Sequence, residues 1–277
     1  MDLKEDEMPI FEIGGRRMHY LDEGRGEAIL FGHSYLWDHR MWEAQVAEFS
    51  KTHRCIVPDL WGHGKSGPLG EESYDLGCLA EDYRVLMEHL GIDEFSIVGL
   101  SVGGMWGVEL VLRYPMRIRA LVLMNTFIGA EPGHLKTLYF KMLDTMAGLD
   151  TIPTAMIDQL VPIFLGSVTI AGNPKLVDAL RAGLAAFTAE QIPTVVAMGR
   201  IIFSREDRLG QAGSLMVPTW VIAGERDKPH PVSDARKMVA AIQGAQLEII
   251  AEAGHITARE QPESVNIILR RVFGRST

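Results

Sequence analysis

Short, continuous apolar runs alternate with longer amphipathic segments along most of this chain. Ala28 to Phe31 and Arg54 to Pro58 have the length and apolar content of strands that are covered on both faces. Between residues 79 and 90, apolar side chains recur at helical spacing, and Gly91 then ends the pattern. Strands that alternate with helices in this way predict a parallel sheet with right-handed helical crossovers.

The same reading predicts the remaining elements of a mostly parallel sheet. Two alternating runs flank Gly14-Gly15, which is the signal of a hairpin. A closing helix begins at Pro262 and ends before Gly274. The other strands are predicted at residues 96–99, 119–124, 217–223 and 246–250, and two further helices at residues 41–49 and 105–114.

The alternation stops between residues 127 and 214, where helical stretches rich in Met, Leu and Phe contain no convincing strand. We therefore predict an α/β core formed by residues 1–126 and 215–277, with a helical cap, or lid, inserted at residues 127–214. The apolar residues of the cap either pack in its own core or line a substrate pocket. The candidate pocket residues are Trp37, Phe127, Met142 and Phe164.

One strand-to-helix junction carries the pattern G-x-S-x-G. Gly99-Leu100-Ser101-Val102-Gly103 follows an apolar run and precedes a helical stretch, which is the context in which this pattern forms a nucleophile elbow. The two glycines leave room for a sharp turn, and the serine hydroxyl is exposed at a helix N-terminus. Ser101 is therefore the candidate nucleophile.

A serine nucleophile needs a base and a group that orients the base, and both should follow later strands of the sheet. His255 comes after the strand at 246–250 and is the candidate base. Asp227 follows the strand at 217–223 and is the candidate acid, with Glu225 as its competitor. The candidate oxyanion donors are the backbone N–H groups of Val102, directly after the nucleophile, and of Tyr35, in the loop after Phe31.

Composition narrows the classes of partner. The 277 residues are 47% hydrophobic and carry a net charge of −9, with no basic stripe that would favour nucleic acid. No apolar run approaches the roughly 18 residues of a membrane span, and the charged residues 1–7 do not form a signal peptide. Only two cysteines are present. We predict a cytoplasmic protein, a monomer or homodimer, with neither metal nor cofactor implied by any motif.

Together, several segments resemble the α/β-hydrolase superfamily. They are Gly99 to Gly104, Asp59-x-x-Gly62-His63-Gly64-Lys65-Ser66, Gly224-x-x-Asp227, and Ala253-Gly254-His255 followed by Glu260-Gln261-Pro262. Within it the chain is similar to small, capped, cofactor-free members: 3-oxoadipate enol-lactonases, carboxylesterases and non-haem haloperoxidases. The resemblance implies an eight-stranded, mostly parallel sheet with a helical lid, and Ser101, Asp227 and His255 as a triad. Relatives usually have glycine where this chain has Ser34, and arginine where it has Trp61.

These residues predict a serine hydrolase of a small carboxylic ester or lactone that works through an acyl-enzyme. Three alternatives keep the same fold: hydrolysis of a C–C bond, perhydrolysis as in a haloperoxidase, or a ligand receptor with a slow triad.

Overall fold

The computed structural model describes residues 8–70 and 73–274, which form one eight-stranded sheet flanked by helices. The strands lie in the order β1-β2-β4-β3-β5-β6-β7-β8. The first pairings, β1 with β2 and β2 with β4, are antiparallel, and all others are parallel. The strands are β1 (Ile10–Ile13), β2 (Arg16–Gly24), β3 (Ala28–Gly32), β4 (Arg54–Pro58), β5 (Phe95–Leu100), β6 (Ile118–Met124), β7 (Thr219–Gly224) and β8 (Gln246–Ile250).

Helices cover both faces of the sheet, as the uniformly buried residues of β3, β5 and β7 require. The predicted fold class is therefore confirmed. The helices are α1 (Glu43–Phe49), α2 (Leu76–His89), α3 (Val102–Arg113), α4 (Gly133–Met146), α5 (Thr154–Phe164), α6 (Ser167–Gly172), α7 (Pro174–Ala185), α8 (Ile192–Phe203), α9 (Val232–Ala241), α10 (Thr257–Glu260) and α11 (Pro262–Phe273).

The chain between β6 and β7 contributes five α-helices, α4 to α8, and no strand to the sheet that the described residues form. Its apolar side chains are partly internal, since Leu143, Leu180 and Leu184 are buried. We call this part of the chain, residues 133–203, the helical segment. It leaves the sheet at the end of β6, so its helices can approach the carboxyl ends of the strands.

The prediction that residues 1–7 do not form a signal peptide concerns a part of the chain outside the described residues. Among the residues that the structure does describe, no helix has both the length and the apolar character that crossing a bilayer demands.

Candidate active site

Ser101 lies at the turn between β5 and α3, in a backbone conformation that L-residues rarely adopt. Its φ is 57° and its ψ is −119°. Its N–H donates to the carbonyl of Met124 at 2.9 Å, and its own carbonyl accepts from Thr126 Oγ1 at 2.7 Å. A strained residue of this kind persists only where its surroundings hold it, and such residues cluster at functional sites.

Glycines make this turn possible by close approach of backbones. A Cβ on Gly99 would lie 2.2 Å from the backbone of Gly103, and a Cβ on Gly103 would lie 2.2 Å from the carbonyl oxygen of Gly32. The end of β5 therefore packs directly against the first turn of α3, and that turn packs directly against the end of β3. Val102 is the first residue of α3, so its N–H has no acceptor within the helix.

His255 and Asp227, which the sequence places on separate loops, meet at hydrogen-bonding distance. The Nδ1 of His255 lies 3.0 Å from Oδ1 and 3.1 Å from Oδ2 of Asp227. Both side chains are almost fully buried. A hydrogen bond from Nδ1–H to the carboxylate leaves Nε2 of the imidazole as the proton acceptor. Glu225, the competing acid, is exposed and accepts instead from the N–H of Glu252 at 3.0 Å.

The carboxylate of Asp227 is held in its charged form by its neighbours. Burial alone would raise its pKa, but the charge and hydrogen bond of His255, together with a hydrogen bond from Asn125, hold that pKa below its usual value. The N–H of His230 also donates to Oδ1 at 3.1 Å. Asp227 can therefore orient the imidazole and stabilise an imidazolium.

Asn125 and Thr257 support Asp227 and were not indicated by any motif. Asn125 Nδ2 donates to Asp227 Oδ2 at 2.9 Å and to the carbonyl of Gly254 at 3.1 Å. Thr257 Oγ1 donates in turn to Asn125 Oδ1 at 2.7 Å. Asn125 has a positive φ of 46° at the end of β6, a conformation that asparagine tolerates better than most residues. The sequence signal available for this supporting role was an asparagine directly after a predicted strand.

His230 lies beside the pair, contrary to the exposed loop position that its flanking prolines predict. It is buried, and its ring centroid lies 5.6 Å from that of His255. Burial, with the charges of His255 and Arg205, lowers the pKa of His230 to about 3. Its imidazole is therefore neutral at pH 7.

Ser101 and His255 open onto one cavity of about 740 Å³, measured with its mouth included. Met142 and Phe164, two of the four candidate pocket residues, line it. Trp37 and Phe127 do not: Trp37 packs edge-on against Phe164, and Phe127 lies under Lys237. The other lining residues are Ser34, Tyr35, Leu36, Met105, Glu131, Tyr139, Leu143, Met146, Leu160, Ile163, Ile202, Phe203, Arg205, Pro229 and His230.

The helical segment reaches the site through three backbone or side-chain anchors. The carbonyl of Phe164 accepts from the N–H groups of His255 at 2.9 Å and of Ile256 at 3.2 Å. Glu260, in α10, accepts from Gly166 N–H at 2.8 Å. The hydroxyl of Tyr35, the residue expected to supply an oxyanion donor, donates to the carbonyl of Val195 in α8 at 2.8 Å.

One cluster of potential metal ligands lies elsewhere in the described chain. His19, His39 and Asp59 bring ligand atoms within 4.8 Å of one another. The Asp59 carboxylate is already occupied, since it accepts from His19 Nδ1 at 2.8 Å and from His39 Nδ1 and N–H at 3.0 and 2.8 Å. Because both imidazoles point a hydrogen at the carboxylate, this donor set fits a hydrogen-bond network better than a metal ion.

Comparison with known proteins agrees with the fold described above. Residues 27–158 match the family model for the alpha/beta hydrolase fold. The chain is 29% identical over 263 residues to 3-oxoadipate enol-lactonase 2 of Acinetobacter baylyi, with 93% of each sequence covered. A thermophilic esterase from Thermogutta terrifontis superposes with a TM-score of 0.87 at 25% identity, over 97% of each chain. The enol-lactonase from Burkholderia xenovorans LB400 gives 0.85 at 25% identity, over 96% of this chain and 100% of that one.

The chain thus has the α/β-hydrolase fold. It is a hydrolase that resembles enol-lactonases and esterases at modest identity.

Proposed function

We propose that this protein hydrolyses a small carboxylic ester or lactone through an acyl-enzyme formed on Ser101. Enol-lactonases and an esterase are among its relatives, which supports an ester bond as the target. The observation that carries the proposal is the combination of a strained serine and a buried His255–Asp227 pair on one apolar cavity. The helical segment acts as the cap that completes this cavity.

In the first half-reaction, Ser101 Oγ attacks the carbonyl carbon and its proton passes to His255 Nε2. Asp227 stabilises the imidazolium that results. The backbone N–H groups of Val102 and Tyr35 donate to the oxyanion of the tetrahedral intermediate. Collapse of the intermediate breaks the C–O bond, and the imidazolium protonates the departing alkoxide. For a lactone, that alkoxide stays attached to the acyl chain.

In the second half-reaction, a water molecule takes the place of the alcohol. His255 removes a proton from this water, which attacks the acyl carbon and forms a second tetrahedral intermediate. The same imidazolium then returns the proton to Ser101 Oγ as the acyl bond breaks. The free acid leaves and the enzyme is regenerated.

The test is the loss of turnover in Ser101→Ala. With p-nitrophenyl butyrate as substrate, we expect kcat to fall by about 10⁴-fold or more, because the nucleophile and base act as a unit. Ser96→Ala is the matched control, since it removes a buried hydroxyl from β5, the strand that leads to Ser101. It should keep the wild-type rate. Rapid acid quench and mass measurement should show one butyryl group on Ser101 in the wild-type protein.

Turnover that persists in Ser101→Ala would refute the nucleophile. A single stoichiometric burst with no later turnover would instead identify a ligand receptor with a slow triad.

A further inference from the structure

The cavity contains one ion pair away from the reacting groups. Arg205 Nη1 donates to Glu131 Oε2 at 2.7 Å, and both residues line the cavity. The side chains are 3% and 4% exposed. Apart from the reacting groups, most of the lining is apolar, including Met142, Leu143 and Ile202. This pair therefore marks one position at which a ligand could make a polar contact.

Two of the five N–H groups of the Arg205 side chain have no acceptor in the described part of the chain. Nε donates to the carbonyl of Gly129 at 2.8 Å, and Nη1 also lies 3.3 Å from the carbonyl of Ile202. Nη2 is buried and has no hydrogen-bond partner among residues 8–70 and 73–274. Buried donors are nearly always paired, because an unmade hydrogen bond is expensive. With Nε and Nη1 turned to the protein, Nη2 is the nitrogen left for a ligand.

The charge around Nη2 is already balanced. The Glu131 carboxylate neutralises the guanidinium, and the neighbouring His230 is neutral because burial lowers its pKa to about 3. Burial raises the pKa of Tyr139, a further lining residue, to about 12, so its phenol is neutral as well. A ligand carboxylate would add an uncompensated negative charge to a buried, mostly apolar space. An uncharged oxygen can accept from Nη2 without that penalty.

We propose that Arg205 binds a second, uncharged oxygen of the substrate, so that the preferred esters or lactones carry a ketone, ether or hydroxyl besides the reacting carbonyl. Arg205 is then a specificity-determining residue, and Glu131 sets the preference for a neutral group over an anionic one. This inference rests on the proposed ester hydrolysis and adds the class of substrate.

The experiment compares matched p-nitrophenyl and lactone substrates. Each ketone ester, with the ketone at varied positions of the acyl or alcohol part, is paired with its methylene analogue and with an analogue that carries a terminal carboxylate. In the wild-type protein at least one ketone ester should exceed both analogues in kcat/KM by about 10-fold to 100-fold, as expected for a hydrogen bond to a charged donor.

Two variants assign that preference. In Arg205→Met/Glu131→Gln, which buries no unpaired charge, the ketone ester should fall to the level of its methylene analogue. In Glu131→Gln, the guanidinium is no longer neutralised. The kcat/KM of the carboxylate analogue should therefore rise by at least about 10-fold relative to that of the ketone ester. Arg200→Met is the control, because it removes an arginine of α8 that forms an exposed pair with Asp144. It should leave all ratios unchanged.

A second readout does not depend on turnover. The ligands are amides that correspond to the preferred ketone ester and to its methylene analogue and that resist hydrolysis. Calorimetric titration of Ser101→Ala should show tighter binding of the ketone amide. Adding Arg205→Met/Glu131→Gln to this variant should abolish the difference. Equal kcat/KM for every ketone and methylene pair, or a wild-type preference for the carboxylate, would overturn the inference. If the methylene esters are still hydrolysed through Ser101 in that case, the proposed function stands.

Discussion

Single hydrogen bonds decide which carboxylate serves His255. Asp227 and Glu225 lie two residues apart, yet only Asp227 is buried and faces the imidazole. It accepts hydrogen bonds from three neighbours, His255, Asn125 and the N–H of His230. An aspartate placed in this way fixes the tautomer of the histidine and needs no proton of its own.

Replacing Asp227 should therefore cost far more than replacing Glu225. Asp227→Asn keeps the shape of the side chain but favours the wrong imidazole tautomer, so kcat should fall by about 10⁴-fold. Glu225→Gln alters an exposed contact to the backbone of Glu252 and should change kcat less than about 2-fold. Steady-state kinetics on one ester checks both. The reverse pattern would move the acid to Glu225.

At this scale the sequence indicates residues at strand ends and misses those that support them. Ser101, His255 and Asp227 follow from the elbow pattern and from loops after later strands. Asn125 and Thr257 carry no motif, since any polar residue beside a carboxylate could serve, and only the fold brings them to Asp227. His230 looks exposed in sequence because prolines flank it. Its burial results from packing against His255 and the cavity.

At the scale of elements, the position of Ser101 depends on how closely α3 approaches β3 and β5. Gly103 touches the carbonyl of Gly32, and Gly99 touches Gly103, with no space for a methyl group at either place. The contact is between backbones, so no side-chain rotation can relieve a clash. The turn and the helix are thereby held as one unit.

Two glycine-to-alanine changes should have opposite effects on stability. Gly103→Ala drives a Cβ into the backbone of Gly32 and should lower the free energy of unfolding by about 3 kcal/mol or more. Gly183→Ala, in α7, meets open space and should raise it by about 0.4–1 kcal/mol. Urea denaturation of each variant measures both. A stable Gly103→Ala protein with an unchanged rate would contradict the close approach.

Elements of the core are predictable from the sequence because periodicity and glycine positions report local structure. The eight strands and the helices α1, α2, α3 and α11 appear where the sequence pattern indicates them, whereas α9 and α10 are not among the predicted elements. The helical segment is different. Its helices are indicated, but contacts between Phe164 and His255 or between Tyr35 and Val195 join residues far apart in sequence. No local pattern encodes such contacts, so Trp37 and Phe127 could not be told from true lining residues.

Across the whole molecule, buried histidines couple stability to pH. Burial lowers the pKa of His33, of His63 to about 4 and of His230 to about 3. His39 behaves oppositely: burial would lower its pKa, but the hydrogen bond to Asp59 raises it. Histidines with lowered pKa take up protons more readily when unfolded, so they favour unfolding as the pH falls below about 6.5. These three histidines outnumber His39, whose stabilising contribution is fully present below about pH 6.5.

The free energy of unfolding should therefore decrease between pH 7.5 and 5.5. His63 and His230 should each contribute a loss of about 1 kcal/mol, because the unfolded side chain is mostly protonated at pH 5.5 while the buried one is neutral. His63→Asn should remove the contribution of His63 and so make the free energy of unfolding less dependent on pH. Urea denaturation at several pH values gives the measurement. Stability that rises on acidification, or a slope that His63→Asn leaves unchanged, would contradict this account.

The hydrogen bond that the N–H of His255 donates to the carbonyl of Phe164 gives Phe164 two separate roles. The aromatic ring faces the cavity, whereas the main chain secures the loop that carries the imidazole. A mutational library at position 164 can thus redesign which molecules enter while the anchor stays intact. Substitutions at position 164 during evolution can in the same way change which substrates are accepted, while the hydrogen bond that holds the His255 loop is kept.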